Sequence, residues 1–279
     1  MVLASPASAT TLVEGIARRQ RLQELLDLLR DVTHRALVNP IGEPAREMLV
    51  AWGFPEPCLD HLDVGFFPDP AYVGWELERG GGSVSEAEGA GLLEASWSGH
   101  VVGPCRNPRG RILTFFAWEP DHSDRAERYA SARCRQPRTL FGKDVAMSPP
   151  TGHLCVVEGL LDVLLAHNLG MACVVGLGSS LGGLSVQRLA RLAASGIREV
   201  TVVPPDDEAG RLSVVTVLDN VGSPRCRGME VFVVDPALMA GARDLGQLVR
   251  RQGDQALREF HTWRMEGDVY RLMMVPLHD

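Results

Sequence analysis

The sequence predicts an α/β fold: a parallel sheet flanked by helices, preceded by an α+β subdomain. Three observations carry that prediction. In the C-terminal half, short Val/Ile-rich runs alternate with helical patterns about ten residues long, which is the sequence form of right-handed βαβ crossovers. Those runs show little polar alternation, as expected of strands covered on both faces. The N-terminal half instead mixes helical spacing with hairpin signals, and Ser148-Pro149-Pro150-Thr151-Gly152 reads as the linker between the two.

Residues 1–10 are expected to be a disordered tail, 11–150 the α+β subdomain and 151–279 the α/β domain with a C-terminal helical and extended segment. Thr11-x-x-Glu14 fits a capping box, and Leu22, Leu25, Leu26, Leu29, Val32, Ala36 and Leu37 recur at three- and four-residue steps, predicting a helix over 12–38 that Asn39-Pro40 closes. A second helix over 44–51 starts with proline in its first turn and stops at Gly53. Residues 55–62 read as a short helical turn, and Gly80-Gly81-Gly82 as a break before a weak helix over 84–93. Val101-Val102 and residues 112–116 read as strands joined by a Pro/Arg/Gly turn. The second half follows as strand 153–157, helix 160–168, strand 172–176, helix 184–195, strand 199–203, helix 208–221 and strand 229–234. A segment opening at Asp244 and a final helix over 254–263 complete the chain, which carries no internal repeat.

Composition narrows the class. With 279 residues and 45% hydrophobic content the chain can bury a substantial core. No run approaches the roughly eighteen apolar residues of a membrane span, and the N-terminal residues lack the cationic start and apolar stretch of a secretory signal, so a cytoplasmic protein without membrane contact is expected. The six cysteines (Cys58, Cys105, Cys134, Cys155, Cys173 and Cys226) form no C-x-x-C pair, which argues against a zinc ribbon and a disulfide scaffold. Cys155 and Cys173 sit in apolar strand patterns and read as core. The net charge of −7 is unevenly spread: residues 97–143 hold nine basic and four acidic side chains, a local +5. Such a segment suits phosphate contact, and it equally suits a solvated loop surface.

Chemistry concentrates where predicted strands end. Glu158 and Asp162 follow the 153–157 strand, Asp206 and Asp207 follow the 199–203 strand, and Asp244 follows the 229–234 strand. All should lie at the carboxyl rim of one sheet, where open α/β sheets place their sites. If Glu158 opens the helix, its four-residue separation from Asp162 puts both carboxylates on one helix face. Clustered carboxylates suit Mg2+ or Mn2+. Each acid also has a plainer role at a helix start, as an N-cap or as favourable charge in the first turn. The glycine-rich loop 176–183 matches neither a P-loop nor an intact dinucleotide fingerprint and reads as a turn, and no histidine has ligand spacing.

The motifs form an ordered series. Val156-Val157-Glu158-Gly159-Leu160-Leu161-Asp162, Leu177-Gly178-Ser179-Ser180, Asp207-Glu208-Ala209-Gly210-Arg211, and Asp244 ahead of Leu248-Val249-Arg250-Arg251-Gln252-Gly253 resemble the TOPRIM domain of bacterial DnaG-type primases. Upstream, Met48-Leu49 with Trp52-Gly53, Val64-Gly65-Phe66, Gly110-Arg111-Ile112, Arg128-Tyr129 and Leu140-Phe141-Gly142 resemble the N-terminal part of that primase core, so the likeness covers residues 20–262. It implies RNA-primer synthesis on single-stranded DNA from ribonucleotides. Glu158 and Asp207 would be catalytic; Glu158, Asp162, Asp206, Asp207 and Asp244 would hold Mg2+ or Mn2+; Arg111, Arg128, Arg135, Arg138 and Lys143 would grip nucleotide and template. The sequence departs from the family pattern at Pro205 and Gly246, where the family has aspartates, and at His100, Trp118 and Gln136, where it has basic residues. No counterpart of the family's zinc ribbon or helicase-binding domain is read here, so a helicase or another replication or mobile-element protein is the expected partner. Two further readings stay open: a catalytically degenerate nucleic-acid-binding subunit, and a TOPRIM nuclease.

Overall fold

The structure is a computed structural model that describes residues 6–118, 127–129, 140–146, 152–239, 241–242 and 244–274. It divides into two compact units: Met1–Glu47, Asp63–Cys105 and Arg111–Pro137 in the first, and Met48–Leu62, Arg106–Gly110 and Arg138–Asp279 in the second. The sequence-based division at 150 therefore assigns 48–62, 106–110 and 138–150 to the other unit.

In the first unit, helix α1 (Pro6–Val38) is longer than its predicted span. It begins inside the stretch expected to be a tail, with Pro6 in the first turn, where its missing N–H removes no intrahelical bond. Of the predicted stripe, Leu25, Leu26, Leu29, Val32, Ala36 and Leu37 are all buried, whereas Leu22 at its start is exposed. Helix α2 (Glu43–Trp52) follows and runs on into the second unit's segment. Strand β1 (Gly65–Phe67) leads to α3 (Pro70–Arg79), capped by Asp69 through the N–H of Tyr72 at 2.9 Å, and to α4 (Val84–Gly89), capped by Ser83. Neither β1 nor α3 is read from the sequence. Strands β2 (His100–Arg106), β3 (Ile112–Trp118) and β4 (Glu127–Tyr129) complete a sheet of order β1-β2-β3-β4, antiparallel at β1-β2 and β3-β4. Its core joins α1 residues to Phe67, Trp97, Phe115 and Ile112, with Phe67 and Trp97 meeting edge to face at 5.6 Å.

Beyond residues 48–62 and 106–110, the second unit holds α5 (Lys143–Ala146) and then alternates β5 (His153–Val157), α6 (Leu160–Asn168), β6 (Val174–Gly176), α7 (Val186–Ala194), β7 (Glu199–Val202), α8 (Glu208–Val221) and β8 (Glu230–Val234). Helices α9 (Leu245–Gln252) and α10 (Asp254–Glu259), strand β9 (Arg264–Glu266) and α11 (Gly267–Met274) close it. The sheet order is β6-β5-β7-β8-β9, parallel over its first four strands, as the alternating pattern predicts. The antiparallel β9 edge is missed by the sequence reading, because Arg264-Met265-Glu266 has no apolar signature. The predicted helix over 254–263 ends as an α-helix at Glu259 and tightens into a 3-10 turn. Leu154, Val156, Val175, Leu189, Val200, Val202, Val214 and Val217 form the middle of the core. Cys155 is buried as expected, whereas Cys173 is half-buried ahead of β6.

Two tests of this packing follow. In the first unit, β1 lies so close to α1 that a methyl group on Gly65 would overlap Thr33. Gly65→Ala is expected to destabilise by about 1–3 kcal/mol in chemical denaturation, the range for overpacking a filled site. In the second, His167 on α6 donates Nε2–H to the Val174 carbonyl at 2.8 Å, and burial holds its proton affinity below the ordinary 6.5. A depressed histidine favours the neutral form in the fold, so its contribution is complete above about 6.5 and declines as pH falls below it. Denaturation midpoints measured from pH 7.5 to 5 should fall accordingly, and less steeply in His167→Gln.

Candidate functional site

The carboxyl ends of the two central strands lie level with each other. Val156 pairs with Val202, and the Val203 N–H bonds the Val156 carbonyl at 3.0 Å. Glu158 is the first residue beyond β5, and Pro204-Pro205-Asp206-Asp207 is the turn beyond β7, so both acidic groups leave the same rim on neighbouring strands.

Glu158 does not open the helix. Gly159 is the N-cap of α6, and the Glu158 side chain reaches instead to the turn after β6, where Oε1 accepts the Leu181 N–H at 2.8 Å. The same turn donates the Gly178 N–H to the Glu158 carbonyl at 2.9 Å, with Gly178 in the left-handed region at φ +61°. The glycine-rich loop read as a plain turn is thus also the holder of Glu158. Arg188 donates to the Gly183 carbonyl at 3.1 Å and Asn220 to the Leu184 carbonyl at 3.2 Å, fixing the far end of that loop.

Asp162 points elsewhere. It is 4% exposed, the one buried carboxylate among the described residues, and Oδ1 accepts the Gly246 N–H at the amino end of α9 at 3.1 Å. The shared helix face expected for Glu158 and Asp162 is therefore absent, because the two carboxylates serve different elements. Asp207 caps α8, accepting the Gly210 N–H at 2.7 Å, and Asp244 caps α9, accepting the Gln247 N–H at 2.6 Å. Asp206 is exposed, 3.6 Å from the Arg211 guanidinium. At the two family departures the space is filled. Pro205 lies against the Cα of Gly210, and a side chain at Gly246 would meet the Trp52 indole at 2.7 Å. Arg250 locks Trp52 in place, donating to its carbonyl at 2.6 Å with the guanidinium 5.0 Å from the ring centre. Neither Trp52 nor Arg250 is nominated from the sequence, although the glycine at 246 is its visible trace.

Among the described residues no three His, Cys, Asp or Glu side chains are grouped to hold a metal ion, so the five-carboxylate cluster expected from the resemblance is not assembled. What the rim does offer is Glu158 with the Asp206-Asp207 turn. That matches the way Mg2+ is commonly bound, by one or two carboxylates with substrate phosphates completing the shell.

The expected basic grip is only partly within view. Arg111 is exposed at the start of β3, and Arg128 lies in β4 opposite Ala117, its side chain outside the described residues. Arg135 and Arg138 lie outside them altogether, as does Gln136. Lys143 is half-buried at the start of α5, where burial lowers the ammonium's proton affinity from 10.5. His100 and Trp118, at positions where the family pattern is basic, are buried in the sheet of the first unit.

A parallel sheet of this order flanked by helices, with carboxylates at its rim, defines the class: a mixed α/β domain with the fold of primase catalytic cores. The chain is a homologue of the catalytic core of DnaG-type DNA primases. It is 26% identical over 258 residues to the DNA primase of Escherichia coli K12, covering 86% of this chain and 42% of the relative, and 23% identical over 255 residues to the DNA primase of Chlamydia trachomatis, covering 85% and 41%. It thus spans less than half the length of these curated relatives. Among solved structures, a DnaG primase catalytic domain bound to single-stranded DNA superposes with a TM-score of 0.75 at 22% identity, covering 95% of this chain and 85% of that one. The RNA polymerase domain of Mycobacterium tuberculosis primase DnaG, bound to a double-stranded DNA oligomer with a 6-nucleotide overhang, gives 0.73 at 25% identity, covering 90% and 82%. No family model matches the sequence. Its primase homologues imply a metal-dependent catalytic core. Among the described residues no helix is long and apolar enough to cross a membrane.

Proposed function

We propose that this chain performs primase-like nucleotidyl transfer, joining ribonucleotides into a primer on a single-stranded DNA template with Mg2+ or Mn2+. The observation that carries this reading is Glu158 standing beside the Asp206-Asp207 turn at neighbouring strand ends, in a chain whose homology to DNA primases covers 86% of its length. Glu158 and Asp206 would hold the ion, with Asp207 fixing the turn as the α8 cap. Bound there, a divalent ion neutralises triphosphate charge and lowers the pKa of an attacking 3′-hydroxyl. The chain's own part is positional. The Leu181 and Gly178 N–H groups keep Glu158 at the rim, and Arg111, Arg128, Arg135, Arg138 and Lys143 would hold phosphates of template and nucleotide. A helicase or another replication or mobile-element protein would deliver the template.

One observation favours a second reading, a binding subunit without catalysis: Pro205 and Gly246 replace acids of the family pattern, and the Trp52 indole fills the place a side chain at 246 would need. Incorporation assays separate the two. Template-dependent ribonucleotide incorporation is expected with Mg2+ or Mn2+, reduced roughly 100-fold or more by Glu158→Gln. No incorporation under either metal, with or without a helicase, sinks the catalytic reading. Single-stranded DNA binding should weaken with salt, and Arg111→Ala should reduce the slope of log K against log salt by about 0.7, the value for one phosphate contact on a single strand.

A further inference from the structure

The second group of acids is built as a joint. Asp162 is almost wholly buried, and a buried carboxylate is costly unless hydrogen-bonded or paired. Part of its compensation is in place: the Gly246 N–H at 3.1 Å, at the amino end of α9, where the helix dipole is positive. The other carboxylate oxygen lies against the Cα of Gly159, which leaves no room for a side chain there. Asp244 caps the same helix through Gln247, and Trp52 fills the space a side chain at 246 would need, itself held by Arg250 four residues along α9. An ion placed at this end would face a helix N-terminus of its own sign, a carboxylate shielded from solvent and an indole.

We infer that Asp162 binds helix α9 to the first turn of α6 and Asp244 caps that helix, neither holding a metal, so that the chain carries one divalent-ion position, on the β5 and β7 side, in place of a cluster spread across the rim. The ion count rests on the metal dependence proposed above; the joint does not. In this arrangement Asp162 is a positioning residue for α9, whereas Glu158 is held separately by the Leu181 and Gly178 N–H groups.

Manganese titration followed by electron paramagnetic resonance, with thermal melts and amide exchange on the same proteins, tests both parts. The full chain should take up one Mn2+, and Glu158→Gln should weaken that binding by roughly tenfold or more. Asp162→Asn, Asp162→Ala and Asp244→Asn should hold Mn2+ affinity within about threefold of the parent while the amides at the start of α9 lose protection. The melting temperature of Asp162→Ala should fall by roughly 4–10 °C. Two Mn2+ per chain would overturn the inference. So would a tenfold loss of affinity in Asp162→Asn or Asp244→Asn with the melting temperature and α9 protection intact. If the parent chain takes up no Mn2+, the metal-dependent function fails. The joint then stands or falls on the exchange data alone, with unchanged α9 protection in Asp162→Ala and Asp162→Asn rejecting it.

Discussion

A carboxylate almost shut off from solvent sits in the first turn of α6, and much of the local architecture is arranged around it. Asp162 in the first turn of α6 is answered by the Gly246 N–H across 84 residues of sequence, and that one bond ties the β5-α6 turn to a helix beyond β8. Hydrogen bonds to charged groups contribute about 1.5–3 kcal/mol, and leaving such a group unmet in the interior costs more than an exposed pair could. The glycines at 159 and 246 follow from it, since each is a place where a side chain would collide, with Asp162 in one case and Trp52 in the other. The position of α9 is therefore dictated by charge as well as by its apolar face, where Leu245 and Leu248 are buried.

Glu158 is governed by a different constraint, the level ends of β5 and β7. Parallel pairing brings the two central strands out at one edge, and the turn after β6 folds back to offer backbone N–H groups to Glu158. The half-buried acid is oriented by a main-chain N–H, that of Leu181. Its neighbours on β7 divide the work: Asp207 shapes the turn as an N-cap, while Asp206 stays exposed beside Arg211. One acidic stretch thus holds a structural and an available carboxylate at adjacent positions.

The sheet was legible in the sequence because it is written in burial. Strand β5 and helices α6 and α8 have the predicted bounds, their Val- and Leu-rich runs leaving no competing period. Short or polar elements were not legible. Strand β1 is three residues long, and β9 is Arg-Met-Glu, an edge strand with one covered side and hence no apolar run. The candidate acids were found, but their roles were not separable, because an N-cap and a metal ligand ask for the same residue at the same place, the end of a strand and the start of a helix. Asp162 and Asp244 look like Glu158 in sequence and differ in burial and in which N–H groups reach them. That information lies at Gly246, Leu181 and Trp52, far away along the chain.

The central claim is that the rim holds its ion between β5 and β7 and uses the α9 side as structure. Anomalous scattering from a crystal soaked with Mn2+ and a ribonucleoside triphosphate addresses it most directly. The account predicts a single manganese peak beside Glu158 and the Asp206-Asp207 turn, and none beside Asp162. A peak shared by Asp162 and Asp244, or no peak at Glu158 with nucleotide bound, would contradict it.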